Sequence, residues 1–411
     1  MGPLHFFFLF LFTVSVANAA PSNRQKTYIV TDFGAVGDGR TLNTTAIQQT
    51  IDRCAREGGG RVVVPAGIFV SGALFLKKGV ALRVEKEGVL KGSVNRDDYP
   101  MVATRWEGTE MNYMCALVNA DSLDGVSLTG EGTIDGSGDS WLEMIRNERE
   151  QGGGPARWMR PRLIGIQNSR NVVVKGLRLH NQAVWCVHIL YCENVELTGL
   201  HITANHNIPS SDGIDIDSDR NVKISRCFID VNDDCISIKS GKDEDGLRVA
   251  RPSENIVIEK CRFGYGHGGV AMGSETSGGI RNVVVRRCIA ETDNWAPIRF
   301  KSQPSRGGVV ENITYKNFRL NNTRKAVEFN MAWRMVPPVK PPAAVLPVVR
   351  NVRLVKIKGT VTSVGDIRGL AASPIRGVVF KKCSLRAQKT LVVEHAEQID
   401  LSGLKQVIEK K

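Results

Sequence analysis

The feature that most constrains the fold of this chain is a seven-residue phrase that recurs through its middle and C-terminal parts. Each copy begins with Asn and continues with alternating apolar and polar residues. The copies are NVVVKGL, NVELTGL, NVKISRC, NIVIEKC, NVVVRRC, NITYKNF and NVRLVKI, starting at Asn171, Asn194, Asn221, Asn255, Asn282, Asn312 and Asn351. Strands this short cannot bury their apolar faces alone, so the copies must stack on one another. The pattern predicts an all-β, single-domain right-handed parallel β-helix with loops of variable length between constant strands.

Two side chains within the phrase recur at fixed positions. We expect the leading Asn residues to form a buried hydrogen-bonding ladder at a turn. Four cysteines share another position of the phrase and are expected to point inward as small apolar residues, namely Cys227, Cys261, Cys288 and Cys383. Both interpretations are structural, and neither assigns these residues to chemistry.

The N-terminal part fits a solenoid that needs a cover over its first coil. Thr44 to Glu57 has helical apolar spacing, with Thr or Asn available as an N-cap, and three glycines follow from Gly58. A short capping helix here would shield the exposed strand edges of the first coil. We therefore expect one parallel β-helix catalytic domain over residues 27–411.

Residues 1–19 have the pattern of a cleaved signal peptide. An apolar run from Leu4 to Val16 is followed by Ala17-Asn18-Ala19, a small-x-small sequence that suits signal peptidase. The run lacks a preceding Lys or Arg, which leaves a membrane anchor as the alternative, although it is short for a span. The expected location is secreted or periplasmic.

The charge of the chain indicates a polyanionic partner. The formal net charge is +13, and residues 1–20 contain no Asp, Glu, Lys or Arg. Such a surface favours nucleic acid, anionic lipid or an acidic polysaccharide. No nucleic-acid motif is present and export disfavours that partner, so we expect an acidic polysaccharide, no membrane partner and a monomer. Nine cysteines, an odd number in a large core, argue against a disulfide scaffold.

A second recurring strand lies between the Asn phrases and sets the register of neighbouring coils. Its inward-facing pairs align as Val187/Ile189, Ile214/Ile216, Ile236/Ile238, Val270/Met272, Ile298/Phe300 and Val327/Phe329. Adjacent strands are about 4.8 Å apart. This alignment predicts that Asp212, Asp233, Asp234 and His267 meet in one patch. Arg299 and Lys301, which flank Phe300, should point outward to the same surface.

The predicted patch has the composition of an acid and base site. Three stacked carboxylates repel one another, which raises the pKa of at least one of them. One carboxyl that gives a proton beside another that takes one from water can split a glycosidic bond. The neighbouring Arg299 and Lys301 would hold an anionic sugar.

The remaining aspartates of the segment have a simpler interpretation. Asp215, Asp217, Asp219 and Asp230 are expected to be solvated residues at strand edges or turns. Calcium is the rival explanation of the acid cluster. Against it, the clustered residues come from separate coils and lie beside a His and two cations, and the segment lacks the loop Gly and distal Glu of a calcium-binding hand. We expect no metal and no cofactor.

At these residues the chain resembles the polygalacturonases, glycoside hydrolase family 28. Four motifs of that family occur in order, as Ser210-Ser211-Asp212, Asn232-Asp233-Asp234, Gly266-His267-Gly268 and Arg299-Phe300-Lys301. The resemblance implies Asp233 as the general acid, with Asp212 and Asp234 activating water. It also implies that His267 supports the acid and that Arg299 and Lys301 grip a uronate carboxylate.

The resemblance further implies hydrolysis of galacturonate-containing pectic polysaccharide with inversion. Inverting carboxyl pairs lie about 6.5–9.5 Å apart, whereas stacked rungs would place Asp212 and Asp234 nearer 5 Å. Inversion therefore depends on the resemblance and not on geometry. Ser210-Ser211 and Phe300 depart from the family pattern, and Lys325-Ala326-Val327 replaces the Lys-Tyr-Gly typical of endo-acting members, which weakens an endo-polygalacturonase interpretation.

Several functions remain open from the sequence. Long loops at Met144 to Arg160 and Met331 to Pro347 could wall off one end of a groove and favour exo-action. The main substrate could be homogalacturonan, xylogalacturonan or rhamnogalacturonan, although the retained His267 argues against the fungal type of rhamnogalacturonan hydrolase. A calcium-dependent pectate lyase and a non-catalytic polysaccharide-binding β-helix are the alternatives from other classes.

Overall fold

The structure is a computed structural model that describes residues 26–152, 154, 158–334 and 340–409. The predicted signal peptide, residues 1–19, lies outside these residues. Thirty-three of the strands pair in parallel with the strands at the same position in the neighbouring coils. The chain is therefore a parallel β-helix, as the recurring phrase predicts.

The strands, in chain order, are β1 (Thr27–Ile29), β2 (Asp38–Leu42), β3 (Gly60–Val64), β4 (Gly67–Ser71), β5 (Leu74–Phe75), β6 (Val80–Val84), β7 (Gly88–Gly92), β8 (Met101–Trp106), β9 (Thr109–Met114), β10 (Val118–Asp121), β11 (Asp124–Gly130), β12 (Thr133–Asp135), β13 (Ile164–Gln167), β14 (Arg170–Lys175), β15 (Arg178–His180), β16 (Val187–Leu190), β17 (Glu193–Thr198), β18 (His201–Thr203), β19 (Ile214–Asp217), β20 (Arg220–Ser225), β21 (Phe228–Asp230), β22 (Asp234–Lys239), β23 (Ser253–Glu259), β24 (Arg262–Phe263), β25 (Gly266–Met272), β26 (Ile280–Arg286), β27 (Ile289–Ala290), β28 (Asn294–Lys301), β29 (Val309–Asn330), β30 (Val348–Arg368), β31 (Ile375–Lys381), β32 (Cys383–Ala387), β33 (Lys389–Glu394), β34 (Ala396–Glu397) and β35 (Leu404–Ile408). The helices are α1 (Thr44–Arg56), α2 (Gly138–Glu150) and α3 (Asp243–Val249), with 3₁₀ turns at Val30–Phe33 and Arg96–Asp98.

Each coil contributes one strand to each of three parallel sheets. The first sheet contains the Asn phrases and runs β1, β3, β6, β11, β14, β17, β20, β23, β26, β29, β30, β31, β34. The second runs β2, β4, β7, β12, β15, β18, β21, β24, β27, β29, β30, β32, β35, and the third runs β5, β10, β13, β16, β19, β22, β25, β28, β29, β30, β33. The long strands β29 and β30 bend through all three sheets. Apolar side chains from the three inner faces form one continuous core.

The recurring Asn residues form a ladder, but on the outside of the solenoid. Each Asn amide nitrogen donates to the amide oxygen of the Asn one coil earlier, from Asn194 to Asn351, at 3.1–3.4 Å. All seven residues have φ between 54° and 59°, a left-handed conformation that Asn tolerates well. They are exposed, so the prediction of a ladder is confirmed and the prediction of its burial is wrong. The left-handed backbone turns the side chain outward at the start of each strand.

The end of each phrase makes the next corner of the coil. Arg226, Lys260, Arg287 and Lys382 also have positive φ, and the cysteine that follows each of them is turned into the core. All nine cysteines of the chain are free and buried, which confirms the inward position predicted for the four cysteines of the phrase. The thiols therefore act as small core residues.

Helix α1 covers the N-terminal end as predicted. Its buried face consists of Ile47, Thr50, Ile51 and Cys54. Asn43 occupies the N-cap position, but its side chain bonds the backbone of Val36 and Thr41 instead of capping the helix. The prediction of a loop over Met144 to Arg160 is wrong in its first half, because α2 continues to Glu150. In the described part of 331–347 there is no helix or strand.

An antiparallel hairpin, β8–β9, stands apart from the three sheets. Its strands pair from Met101 with Met114 to Trp106 with Thr109. The sequence analysis does not predict this element, which lies over the outer face of the third sheet. Among the described residues, no helix has the length and hydropathy needed to cross a membrane.

Candidate active site

The six predicted site residues lie on or beside four neighbouring strands of the third sheet. The predicted register is confirmed, since Ile214, Ile236, Val270, Ile298 and Val327 are successive partners. Asp212 precedes β19, and Asp233 and Asp234 stand at the start of β22. His267 lies in β25, and Arg299 and Lys301 lie in β28. Residues that are up to 89 positions apart in sequence are thereby placed on one surface.

The three aspartates form a compact cluster. One carboxylate oxygen from each of Asp212, Asp233 and Asp234 lies within 4.8 Å of the others. Asp234 is fully buried and Asp212 is 3% exposed, whereas the side chain of Asp233 is 25% exposed. Asp233 is therefore the member of the cluster that a ligand in the groove can touch.

His267 lies against the exposed member of the cluster. Its Nδ1 is 3.3 Å from Oδ1 of Asp233, and its backbone nitrogen donates to the Asp233 carbonyl at 3.0 Å. The glycine after it is required by packing, because a Cβ at Gly268 would lie 2.7 Å from Oδ1 of Asp234. The Gly-His-Gly sequence thus leaves room for the buried carboxylate while His267 stays half exposed.

Arg299 and Lys301 lie on the other side of the cluster. Lys301 Nζ is 2.6 Å from Oδ2 of Asp234, and Arg299 Nη1 is 3.3 Å from Oδ1 of the same residue. Arg299 Nε also donates to Glu328 at 2.8 Å. The indole of Trp333 covers the Arg299 guanidinium, whose carbon is 4.6 Å from the ring centroid. Both cations are therefore held in place, with Asp234 as their common anchor.

The environments of the carboxyls push their pKa values apart. Burial, together with the charges of Asp215 and Asp233, raises the pKa of Asp212 well above its ordinary value. Burial alone would raise the pKa of Asp233 as well, but the hydrogen bond with His267 and the charge of Lys301 hold it below the ordinary range. The same contact with Asp233 raises the pKa of His267. In the free protein Asp212 thus keeps a proton more readily than Asp233 does.

The three aspartates are close enough to one another to bind a metal ion, so a calcium site is the alternative to an acid and base site. Both oxygens of Asp234 already form ion pairs with Arg299 and Lys301. A divalent cation would have to displace an ammonium group 2.6 Å away or accept its repulsion. The positive charge that this acid cluster needs is supplied by the protein.

Comparisons with known proteins agree with this site. The sequence model of Glycosyl hydrolases family 28 matches residues 54–399. The chain belongs to glycosyl hydrolases family 28. The resemblance inferred from the four motifs is therefore confirmed, and the acid cluster stands where those motifs meet.

Two curated relatives and one solved structure illustrate the family match. A probable polygalacturonase of Vitis vinifera is 33% identical over 75% of this chain and 63% of that protein. An exo-poly-alpha-D-galacturonosidase of Dickeya chrysanthemi is 28% identical over 72% of this chain and 55% of that protein. An exopolygalacturonase from Thermotoga maritima is 29% identical, covers 93% of this chain and 92% of that chain, and has a TM-score of 0.84. The chain thus spans about three fifths of the length of the curated relatives it matches.

Three of the four aspartates expected to be solvated are instead fully buried, so that prediction is wrong for Asp215, Asp217 and Asp219. Asp215 lies below the cluster and pairs with Lys239, whose Nζ is 3.5 Å from it and 3.3 Å from Glu275. Burial raises the pKa of Asp215 to about 7, although Lys239 opposes the shift. This chain therefore carries a second, buried group of charges near its acid cluster.

The other two buried aspartates have different partners. Arg105 of the hairpin reaches Asp217 at 2.8 Å, and with His188 it outweighs burial and lowers the pKa of Asp217 to about 2. Asp219 accepts hydrogen bonds from the backbone of Cys192 and Asp217, while burial raises its pKa. Asp230 is half-buried beside His206, at 2.5 Å, so it remains close to the predicted position at a strand edge.

The hairpin packs on the third sheet at the N-terminal side of the cluster. Trp185 stands one coil before Asp212, and Trp106 of the hairpin packs on it with ring centroids 4.6 Å apart. Tyr113 of the hairpin stacks on Trp106 at 4.4 Å. This aromatic stack lies at the N-terminal side of the cluster, and Arg160, at the end of the predicted loop, donates to the Pro209 carbonyl at 2.9 Å beside it.

Some residues around the site could have been found from the sequence and others could not. The register that pairs Phe300 with Phe329 also pairs Arg299 with Glu328, so the alignment of the repeats could have identified Glu328 as a neighbour of Arg299. Lys239 similarly faces Asp217 across one coil. Glu275 and Trp333 come from segments outside the strands, where no period fixes the position of a side chain.

Proposed function

We propose that the protein is an exported glycoside hydrolase that cleaves α-glycosidic bonds in galacturonate-containing pectic polysaccharide, with polygalacturonase-type activity. The observation that carries the proposal is the cluster of Asp212, Asp233 and Asp234, with oxygens within 4.8 Å of one another, beside Arg299 and Lys301. Acids supply the proton transfers of glycoside hydrolysis, and the cations suit a uronate carboxylate. The family match and the relatives named polygalacturonase support the same reaction.

The exposure of the three acids assigns their roles. Asp233, the only cluster member with an exposed side chain, protonates the leaving oxygen. Asp212 and Asp234 lie too deep to touch a sugar carbon, but a water molecule in front of them can be activated by either carboxylate. Attack by water on the face opposite the leaving group gives inversion. One oxygen of each carboxyl lies within 4.8 Å of the others, which is nearer the spacing of retaining pairs, so the proposed inversion rests on the burial of Asp212 and Asp234 and not on their spacing.

The cluster also contains a route for the proton. In the free protein the pKa of Asp212 is raised and that of Asp233 is lowered, with Lys301 among the causes of the latter. A uronate carboxylate bound at Lys301 neutralises part of its charge, which raises the pKa of Asp233. The proton held by Asp212 then passes to Asp233, which leaves Asp212 as a carboxylate that can activate water. His267 acts as a positioning residue for Asp233 through the 3.3 Å contact.

The groove supports exo-action. The stack of Trp185, Trp106 and Tyr113 closes it one coil before Asp212, which leaves room for about one sugar residue on that side. A chain end can enter such a pocket, whereas an internal segment of a polymer cannot pass through it. Relatives named exo-acting, at 28% and 29% identity, support this choice.

Product analysis on polygalacturonate tests the reaction class. We expect new reducing ends, no ultraviolet absorbance from an unsaturated sugar, and no effect of a chelator. Absorbing products that disappear with the chelator would instead identify a calcium-dependent lyase. Binding without any product would identify a non-catalytic β-helix. Turnover confined to xylogalacturonan or rhamnogalacturonan would mean that the enzyme belongs to the same family but acts on that polymer instead of polygalacturonate.

Two further measurements test the finer points. With a galacturonate hexamer labelled at its reducing end, exo-action releases a single small product before any other size appears, whereas a spread of early products would contradict it. The anomeric proton signal of that first product, followed by NMR, should be that of the β-anomer. An initial α-anomer would show retention and overturn the water-mediated step.

Export and a monomeric state complete the proposal. The apolar segment before Ala19 motivates the first, and the N-terminal sequence of protein recovered outside the inner membrane should begin after it. Light scattering coupled to gel filtration should give the mass of one chain. A protein that stays with the membrane, or a larger mass, would contradict these two statements separately.

A further inference from the structure

A cavity of about 130 Å³ lies between the hairpin and the outer face of the third sheet. Apolar side chains line much of it, including Phe75, Val102 and Ile166. None of the six residues of the candidate active site lines it. Arg162, one of its walls, lies two residues before β13. Since β13 is two coils before β19, Arg162 is about 10 Å along the sheet from Asp212. The cavity is therefore distinct from the acid cluster.

Arg162 is a buried cation that lacks a counter-ion. It is 4% exposed, and no carboxylate of the described residues forms an ion pair with it within 4.0 Å. Its Nη1 contacts Nδ1 of His188 at 2.5 Å and Oγ1 of Thr104 at 3.4 Å, while its Nε has no hydrogen-bond partner. The nearest acids are engaged elsewhere, Asp217 by Arg105 and Asp215 by Lys239.

The other buried arginines show what Arg162 lacks. Arg105 pairs with Asp217, Arg299 with Asp234 and Glu328, and Arg306 with Asp243. A buried guanidinium without a paired charge is strongly unfavourable, and the other fully buried arginines of the described residues avoid it. Burial lowers the pKa of Arg162 to about 10, so the group is still charged at neutral pH. Burial also lowers the pKa of His188 to about 4, so that neighbour is neutral and an acceptor.

The rim of the cavity presents hydrogen-bond acceptors. Gln167 uses its amide nitrogen on the Ala103 carbonyl and on Asp121, at 3.0 and 2.8 Å. Its amide oxygen is available to a hydroxyl donor, and the exposed Asp121 carboxylate, which accepts from Ser122, Gln167 and Asn168, has lone-pair capacity for one more. The acidic rim would also repel a second negative charge on a ligand. The lining thus combines a buried cation, apolar walls and a rim of hydrogen-bond acceptors. This combination is complementary to a small, hydroxylated monocarboxylate.

We propose that this cavity is a second ligand site, which binds a monomeric uronic acid with its carboxylate on Arg162 and its hydroxyl groups on Gln167 and Asp121. The choice of galacturonate among uronic acids rests on the proposed function. The site has a physical link to the groove, because Trp106 lies 5.8 Å from the Arg162 guanidinium carbon and packs on Trp185. An occupied cavity therefore supports the hairpin that closes the groove.

The test is calorimetric titration of galacturonate into the Lys301→Ala protein, in which binding at the acid cluster is weakened. We expect one site that also changes tryptophan fluorescence, no binding of galactose, and at least tenfold weaker binding of the dicarboxylate galactarate. Adding Arg162→Gln should weaken galacturonate binding at least tenfold. Adding Val102→Phe instead of Arg162→Gln should also weaken galacturonate binding at least tenfold, because the larger side chain fills the cavity while Arg162 stays in place. Circular dichroism checks that each variant is folded.

Two results would overturn the inference. The first is the absence of galacturonate binding in the Lys301→Ala protein when wild type binds it, because the acid would then occupy the catalytic groove alone. The second is an unchanged affinity for galacturonate in the folded Val102→Phe variant. This variant tests the second site even if Arg162→Gln fails to fold. Activity on polygalacturonate separates this proposal from the previous one. An active enzyme without the second site overturns only this inference, and Arg162-dependent binding in an inactive protein overturns only the proposed function.

Discussion

Two columns of polar side chains run along this solenoid, and they are stabilised in opposite ways. The Asn ladder of the first sheet is exposed, and each amide both accepts from one neighbour and donates to the other. The acids of the third sheet are buried, and carboxylates only accept. Repetition alone therefore satisfies the amides, whereas repetition of carboxylates adds repulsion that only cations or protons can relieve.

The difference shows where a repeating fold can hold chemistry. Every rung of the Asn ladder is equivalent, so no rung is special. The acids around Asp212 depend on groups from other coils and from the hairpin, such as Lys301, Lys239 and Arg105. Repulsion between the buried carboxylates, and the cost of burying them, make this column of acids unfavourable in isolation. The same two effects shift the pKa values of the acids, and shifted pKa values are what acid and base catalysis requires.

The largest effect that would sharpen this comparison is on turnover. Asp233→Asn removes the proposed acid but keeps its shape, so kcat on polygalacturonate should fall about 10³-fold, within the range for general acid catalysis. The unfolding midpoint should change little because the side chain is partly exposed. Asp230→Asn, a half-buried acid outside the cluster, is the matched control and should keep near-normal kcat. Near-normal turnover in Asp233→Asn would remove the acid assignment.

The next effect is on stability and concerns the buried half of the acid column. Asp217→Asn leaves Arg105 as an uncompensated buried charge, so the free energy of unfolding should fall by about 3 kcal/mol. Glu193→Gln breaks the exposed pair with Arg220 and should change it by less than about 1 kcal/mol. Denaturant titration of both variants measures the contrast. Equal small losses would mean that burial does not distinguish the two kinds of pair.

A smaller effect should appear as a pH dependence. The pKa of Asp215 is raised from 3.8 to about 7 in the folded protein, so between these values the folded state binds more protons than the unfolded state. Stability contributed by this group is therefore lost as pH rises from about 4 to 7. Because the amide of the Asp215→Asn variant does not titrate, we expect this variant to gain about 2 kcal/mol on wild type between pH 5 and 7.

Urea titrations of the two proteins at several pH values provide the measurement. Parallel curves of unfolding free energy against pH would contradict the raised pKa of Asp215. Asp121→Asn, which removes an exposed carboxylate elsewhere on the third sheet, is the control and should leave the slope of the wild-type curve unchanged between pH 5 and 7.

The smallest effect is expected in the Asn ladder. Asn255→Ala loses contacts at 3.2 Å to two neighbours and places Ala at a φ of 58°. Since water replaces the exposed hydrogen bonds, the loss should be about 1 kcal/mol, most of it from the backbone conformation. Asn255→Gly accepts that φ and should lose less. A loss in Asn255→Gly as large as that of Asp217→Asn would mean that the two columns do not differ as described.

Much of the fold and the position of the cluster could be predicted because the repeat fixes register. Once the apolar pairs were aligned, Asp212, Asp234 and His267 had to meet, since a parallel ladder allows no other arrangement. The inward cysteines and helix α1 followed from the same periodicity. The same register places β28 next to β25, so Arg299 and Lys301 could also be predicted to lie near Asp234.

What could not be predicted depends on segments without a period. The burial of Asp215 and Asp217 requires a hairpin whose Arg105 lies 112 residues from Asp217, and nothing in a local alternation of Ile and Asp reveals it. The exposure of the Asn ladder depends on the left-handed backbone at each Asn, which the alternating pattern does not encode. The loop that carries Glu275 and the segment that carries Trp333 follow strands without continuing their register.

The central claim is that acids from separate coils act as one unit. A double-mutant cycle on kcat with Asp212→Asn and Asp233→Asn measures this directly, since residues that share a proton and a water have strongly non-additive effects. We predict that the double variant loses within about tenfold of what Asp233→Asn loses alone. Losses that multiply, so that the double variant falls by the product of the two single effects, would show that the two carboxyls act independently and would contradict the account.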